Sequence, residues 1–352
     1  MNDLPSRDGP FAGSAEGLKV AAKTGETAPY VWLLLGARRG DNNQLRALAE
    51  ALGLPFETKS LTYNSLRHVP FLREFGLTIL TGESRRLIRP PWPQLVISVA
   101  YSGLSVARFI RRQSGGRTRL VHVGNPRISI DDLDLVMITP QFIRKESPNV
   151  LALPFPIGNP AQSVTATNEE EEWLRPFPRP RRLVAVGGST RKWKIDNSEL
   201  DRAIQQLQGL CESRGGSVIA VTSPRTTLET RRRLEARLAR KTDALVDSFP
   251  RFAVLLARCD EFYVTADSVS MLSEAVLTGK PVGMIPVARS LKGSVSEWIR
   301  RRVWRFRSHA DLSRFWHFLT ANNLVGTVDR PIASHTTDTV AKAVDAVRRV
   351  IE

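Results

Sequence analysis

The stretch TADSVSMLSEAVLTGKPVGMIP, residues 265–286, places hydroxyls and a carboxylate directly before an apolar helical pattern. Gly-Lys-Pro closes that pattern ahead of a second apolar run. With EFYVTADS (261–268) leading in and KPVGMIPV (280–287) leading out, the order is strand, helix, strand. Strands separated by a helix pair in parallel through a right-handed crossover. Sheets of this kind bind ligands beyond the carboxyl ends of their strands, where helix N-termini offer free N–H groups. Thr265, Asp267, Ser268 and Ser270 stand at such a helix entrance, where hydroxyls cap the helix and, together with its N–H groups, suit an anion such as phosphate. Glu274, four residues after Ser270, falls on the same helical face and can accept hydrogen bonds from a ribose. A well-capped helix with a surface glutamate would show the same residues.

Outward from this stretch the alternation repeats. RRLVAVGGST (181–190) reads as a strand ending in Gly187-Gly188-Ser189-Thr190, and SVIAVTSPRTT (217–227) as a strand ending in a hydroxyl-rich loop with Arg225. Three polar loops therefore converge on one sheet edge. Gly187 and Gly188 permit close backbone approach to a diphosphate, and Arg225 with Lys192 or Lys194 can neutralise it. Plain turns also use Gly-Gly. Nearer the start, VWLLLG (31–36), PQLVISVA (93–100), RLVHVG (119–124) and LDLVMITP (133–140) form an earlier strand series, with helical patterns after the first two. The expected fold is α/β, two tandem Rossmann-like doubly wound domains facing a cleft. The boundaries expected are a disordered tail over 1–28, a first domain over 29–160, a Pro-rich linker over 161–180, a second domain over 181–335 and a C-terminal helix over 336–352 that packs back on the first domain.

Composition narrows the partners. A chain of 352 residues with 42% hydrophobic and 24% charged content supports two globular cores. Two cysteines are too few for a disulfide framework, which favours a reducing compartment. No secretory leader is evident, and no run approaches the roughly 18 apolar residues of a membrane span. The expected location is cytoplasmic, with peripheral attachment to the inner face of the membrane. A net charge of +16 suits an anionic partner or a solvated basic surface. The basic residues are dispersed and no nucleic-acid-binding module is present, so nucleic acid is not expected. Two passages mix aromatic residues with arginine, FLREFGLTILTGESRRLIRPPW (71–92) and LKGSVSEWIRRRVWRFRSHADLSRFWHFL (291–319). They suit an anionic membrane interface or core helices with snorkelling arginines.

The run Ser270-Met-x-x-Glu274-Ala-x-x-x-Gly-Lys-Pro followed by a strand ending Ile285-Pro286 resembles the nucleotide-sugar signature of GT-B glycosyltransferases. That resemblance implies a nucleotide-sugar donor, with Glu274 on the ribose, residues 268–270 on the diphosphate, and no metal or other cofactor. More closely, LLLGARRGDNNQLRALAEALGLPFE, PQLVISVAYSGLSVARFI, RLVHVGNPR, VGGSTRKWKI, TSPRTT and VTADSVSMLSEAVLTGKPV are similar to bacterial members of the mitochondrial fission "elongated mitochondria" family. The likeness covers about residues 31–290 and implies either a transferase acting on an envelope lipid or glycolipid, or a non-catalytic interaction protein that retains the fold.

In the first domain, the loop Gly36–Gln44 is expected to face the cleft. Asp41 is the candidate catalytic base by position, with capping of a helix that begins near Asn42 as the other reading. Gly40, Asn43, Gln44, Tyr101, Asn125 and Arg127 follow the same strand ends and are candidate acceptor contacts. His122 lies within an apolar strand and reads as a core residue.

Overall fold

A computed structural model describes residues 31–68, 76–126, 128–142, 147–158, 164–190, 192–290, 311–335 and 338–352. The expected N-terminal tail, Arg127 and residues 291–310 of the second basic passage lie outside the described residues.

The first half runs β1 (Val31–Leu35), α1 (Arg39–Leu52), β2 (Phe56–Ser60), α2 (Gly82–Arg86), β3 (Leu95–Val99), α3 (Ala100–Gln113), β4 (Arg119–Val123), β5 (Leu135–Ile138) and β6 (Val150–Ala152). Its strands form one sheet in the order β2-β1-β3-β4-β5-β6, parallel at every pairing. The continuous apolar runs follow from burial of both faces. Along β1, Leu33 and Leu35 join one core with α1, whereas Trp32 and Leu34 join another with α3.

The second half runs α4 (Asn168–Leu174), β7 (Arg181–Val186), β8 (Trp193–Ile195), α5 (Asn197–Arg214), β9 (Ser217–Thr222), α6 (Leu228–Arg237), β10 (Asp243–Val246), α7 (Phe252–Arg258), β11 (Glu261–Thr265), α8 (Val269–Leu277), β12 (Val282–Ile285), β13 (Val287–Arg289), α9 (Leu312–Ala321) and α10 (Thr339–Ile351). The parallel order β10-β9-β7-β11-β12 reverses direction at β7, and β8 with β13 forms a separate antiparallel ribbon. Two cores again flank the sheet.

Residues 164–180 pack on this second core. Leu174 is fully buried, and α4 opens on a capping box between Thr167 and Glu170. The same Glu170 takes hydrogen bonds from the Arg251 backbone N–H at 3.1 Å and from its guanidinium at 2.6 and 2.8 Å. Helix α10 returns to the other half, where Ala343, Val344, Ala346 and Val347 join the α1 side of the first sheet.

His122 is completely buried and meets the Ser98 hydroxyl through Nδ1 at 2.9 Å. The described apolar side chains of the two basic passages also turn largely inward. Ile79, Leu80 and Ile88 are buried, Trp92 meets Trp32 edge to face, and Phe315 and Leu319 are fully enclosed. Among their described large hydrophobic side chains only Leu87 is exposed. No described helix is long and apolar enough to cross a membrane.

Candidate functional site

Three loops meet at the carboxyl edge of the second sheet. Strand β7 ends in Gly187-Gly188, β9 in Ser223–Thr226, and β11 in Ala266–Ser268 at the start of α8. Parallel pairing of β7 with β9 and β11 holds these ends side by side.

Hydrogen bonds lace the loops together. The Gly187 N–H donates to Thr265 Oγ1 at 2.8 Å, and the Gly188 N–H to Asp267 Oδ2 at 2.8 Å. Thr265 donates its own proton to Asp267 Oδ1 at 2.7 Å. The Thr226 hydroxyl reaches the Gly187 carbonyl at 2.5 Å. A Cβ at Gly187 would collide with the Asp267 carboxylate, and one at Gly188 with the Arg225 backbone. The two glycines therefore admit neighbouring loops, and their N–H groups, expected to face a diphosphate, are filled by Thr265 and Asp267.

Asp267 keeps only 4% of its surface, and burial raises its pKa against the opposing pull of the Thr265 and Gly188 hydrogen bonds and the nearby Arg225 charge. Ser268 is the N-cap of α8, accepting the Met271 N–H at 3.4 Å. Ser270 and Glu274 are exposed one turn apart on α8, and the first-turn N–H groups of that helix open on this edge. Glu274 keeps water-accessible surface, yet dehydration by the surrounding protein pushes its carboxyl up to about 7. Ser189, Lys194 and Arg225 are also exposed, and Thr190 is half-buried, its N–H bonded to the Trp193 carbonyl at 2.7 Å.

Lys194 lies on the β8–β13 ribbon opposite Ala288, where it acts on Asp196, the cap of α5. Sequence reasoning missed the aromatic shelf beside the loops. Trp193 and Trp316 have ring centroids 4.6 Å apart, and Trp316 Nε1 donates to the Ala266 carbonyl at 2.7 Å. The Ser-Pro-Arg-Thr pattern gave Arg225, whereas nothing local announces a contact between residues about 50 positions apart.

On the first sheet the loop after β1 is shorter than expected, because α1 already begins at Arg39. Asn42 explains the early start: its side chain accepts the Gly36 N–H at 2.9 Å and donates to the Gly36 carbonyl at 2.8 Å, closing the turn. Asp41 thus lies inside the first helical turn, and the N-cap position belongs to Arg38. Asp41 is half-buried, and dehydration raises its pKa despite the Arg38 charge. Gly40 and Asn43 are exposed, Tyr101 and Asn125 half-buried at neighbouring strand ends, and Gln44 is engaged through Oε1 by the Ile157 N–H at 3.3 Å. A backbone bridge joins the halves where the Asp311 N–H donates to the Gln141 carbonyl at 2.8 Å. Gln141 follows β5, and Asp311 caps α9, whose Trp316 reaches the end of β11. The two carboxyl edges are thereby held toward each other. Among the described residues no group of three or more His, Cys, Asp or Glu side chains is placed to hold a metal.

Two doubly wound parallel sheets joined at their carboxyl edges define a protein of the GT-B class. In agreement, the chain is similar to a glycosyltransferase structure from Rickettsia africae, with a TM-score of 0.54 and 10% identity over 93% of this chain and 100% of that one. It is also similar to a Listeria monocytogenes structure described as a UDP-N-acetylglucosamine 2-epimerase, with a TM-score of 0.52 and 12% identity over 92% and 97% of the two chains. At such identities the likeness is one of fold. The chain belongs to the family described as Mitochondrial fission ELM1, whose model matches residues 39–346. The mitochondrial fission protein ELM1 of Arabidopsis thaliana is 25% identical over 282 residues, which span 70% of this chain and 65% of that relative.

Proposed function

We propose that this protein binds a nucleotide sugar at the carboxyl edge of the second sheet and transfers the sugar to a hydroxyl of an envelope lipid or glycolipid presented by the first domain. The observation that carries this reading is Glu274, exposed on the second turn of α8 in line with Ser270, beside three hydroxyl-lined loop ends. A carboxylate there accepts hydrogen bonds from ribose hydroxyls, while the first-turn N–H groups of α8 and the exposed Arg225 face the phosphates. In the transfer step the acceptor hydroxyl gives its proton to Asp41, and its oxygen bonds the anomeric carbon. The bond from that carbon to the diphosphate breaks, and the nucleoside diphosphate leaves with the electron pair. The raised pKa of Asp41 moves it toward the range that a general base needs near neutral pH. The lipid acceptor is supported by the net charge of +16, which attracts an anionic surface from a cytoplasmic location at the membrane.

A second reading, a non-catalytic GT-B-fold partner protein, is favoured by one observation: Thr265 and Asp267 already fill the Gly187 and Gly188 amides. Incubation with UDP-N-acetylglucosamine and other nucleotide sugars, with and without an isolated envelope lipid fraction, separates the two. Lipid-dependent release of nucleoside diphosphate is the expected result. Binding without release in any combination would support the second reading.

A further inference from the structure

The buried carboxylate at the centre of the loop junction has a consequence for which nucleotide the edge prefers, and this inference rests on the nucleotide-sugar reading above. Its oxygens take the Gly188 N–H at 2.8 Å and the Thr265 hydroxyl at 2.7 Å, the kind of donors a phosphate oxygen would use. The Gly187 backbone lies so close that a side chain there would overlap it. Phosphates bound at this edge would lie outside this buried carboxylate, on the side where Ser189 and Ser270 are exposed, with like charge behind them. Two groups moderate that charge, the Arg225 guanidinium from the loop after β9 and the N-terminus of α8. Both are single, partial compensations.

We propose that Asp267 is a specificity residue that favours a nucleotide sugar over the free nucleoside diphosphate. In a nucleotide sugar each phosphate carries one negative charge. In the free diphosphate the terminal phosphate ionises a second time, with a pKa near 6, so at neutral pH it brings about one more charge to the same place. A fixed anion behind the phosphates repels the second form more than the first. The edge therefore holds the sugar-bearing donor and sheds the diphosphate left after transfer.

The test measures dissociation constants for UDP, UDP-N-acetylglucosamine and uridine at pH 8 in the full chain, in Asp267→Asn and in Asp267→Ser. Both variants remove the charge, and asparagine keeps an acceptor for the Gly188 N–H; the serine variant, which keeps a hydroxyl there, serves if the asparagine variant melts early. The expected result is UDP affinity raised by about tenfold, UDP-N-acetylglucosamine affinity raised by clearly less, and uridine affinity unchanged. Equal shifts for the two nucleotides, no shift, or weaker binding in folded variants would overturn the assignment and leave the nucleotide-sugar reading standing. If the wild type and both variants bind none of the three, the nucleotide-sugar reading itself falls, and this inference with it.

Discussion

Glu274 shows how a single side chain ties stability to ligand chemistry. Dehydration lifts its carboxyl from an ordinary value of 4.5 to about 7. A carboxyl whose folded-state pKa is raised takes up a proton in the folded protein before the unfolded chain does. Its contribution is therefore fully present below about 4.5 and is lost as pH rises through about 7. Glu274→Gln removes this dependence, so the variant should melt above the wild type at pH 8 and close to it at pH 4.5, as read by thermal unfolding at both pH values. Asp41 has a kinetic test. If it is the base, Asp41→Asn should lower turnover on the order of a hundredfold while leaving the melting temperature nearly unchanged, because asparagine substitutes well near a helix start. Unchanged turnover would leave Asp41 a structural residue. At this scale Ser268 was legible, since a hydroxyl before an apolar helical run is a cap and Ser268 is one. The role of Asp267 was not, because its partner Gly188 lies 79 positions away and a strand-end aspartate looks the same whether it faces water or a backbone amide.

Among the elements, α4 is held by one ionic node. Glu170 has almost no accessible surface but lies shallow, just beneath the half-exposed Arg251, whose hydrogen bonds hold its carboxyl down at about 2. Arg251→Met removes the guanidinium and leaves that carboxylate only the Thr167 and Arg251 backbone N–H groups. The variant should be less stable than the wild type, because the carboxylate loses its charge-assisted partners while staying covered. Denaturant unfolding measures this, and adding Glu170→Gln should recover part of the loss. Lys280 is a second element-scale device. Its Nζ donates to the carbonyls of Leu256, Ala257 and Cys259 at 3.2, 2.9 and 2.6 Å, capping the end of α7. The strands read correctly from sequence, such as β1, β3, β7 and β9, are those buried on both faces, where the apolar run is continuous. Those missed are β2, β6, β8, β10 and β13. FETKS in β2 is a half-exposed edge strand, and WKI and DALV are too short to show a period.

For the whole molecule, the alternation of strands and helices was enough to read two doubly wound sheets, because parallel pairing leaves few ways to connect them. The hydrogen bond between the halves was not legible, since Gln141 and Asp311 are joined through backbone groups that any residue supplies. Helix α10 contributes Val347, fully buried against the first sheet, so Val347→Ala should cost about 1 to 3 kcal/mol in denaturant unfolding. The central claim is that the carboxyl edge of the second sheet is a nucleotide site organised by α8. Calorimetric titration of wild type and Glu274→Ala with UDP-N-acetylglucosamine tests it most directly. The account predicts that the wild type binds and that the variant, still folded, loses about 1.5 to 3 kcal/mol of binding, the usual worth of a hydrogen bond to a charged group. Equal affinity in the two proteins would contradict it.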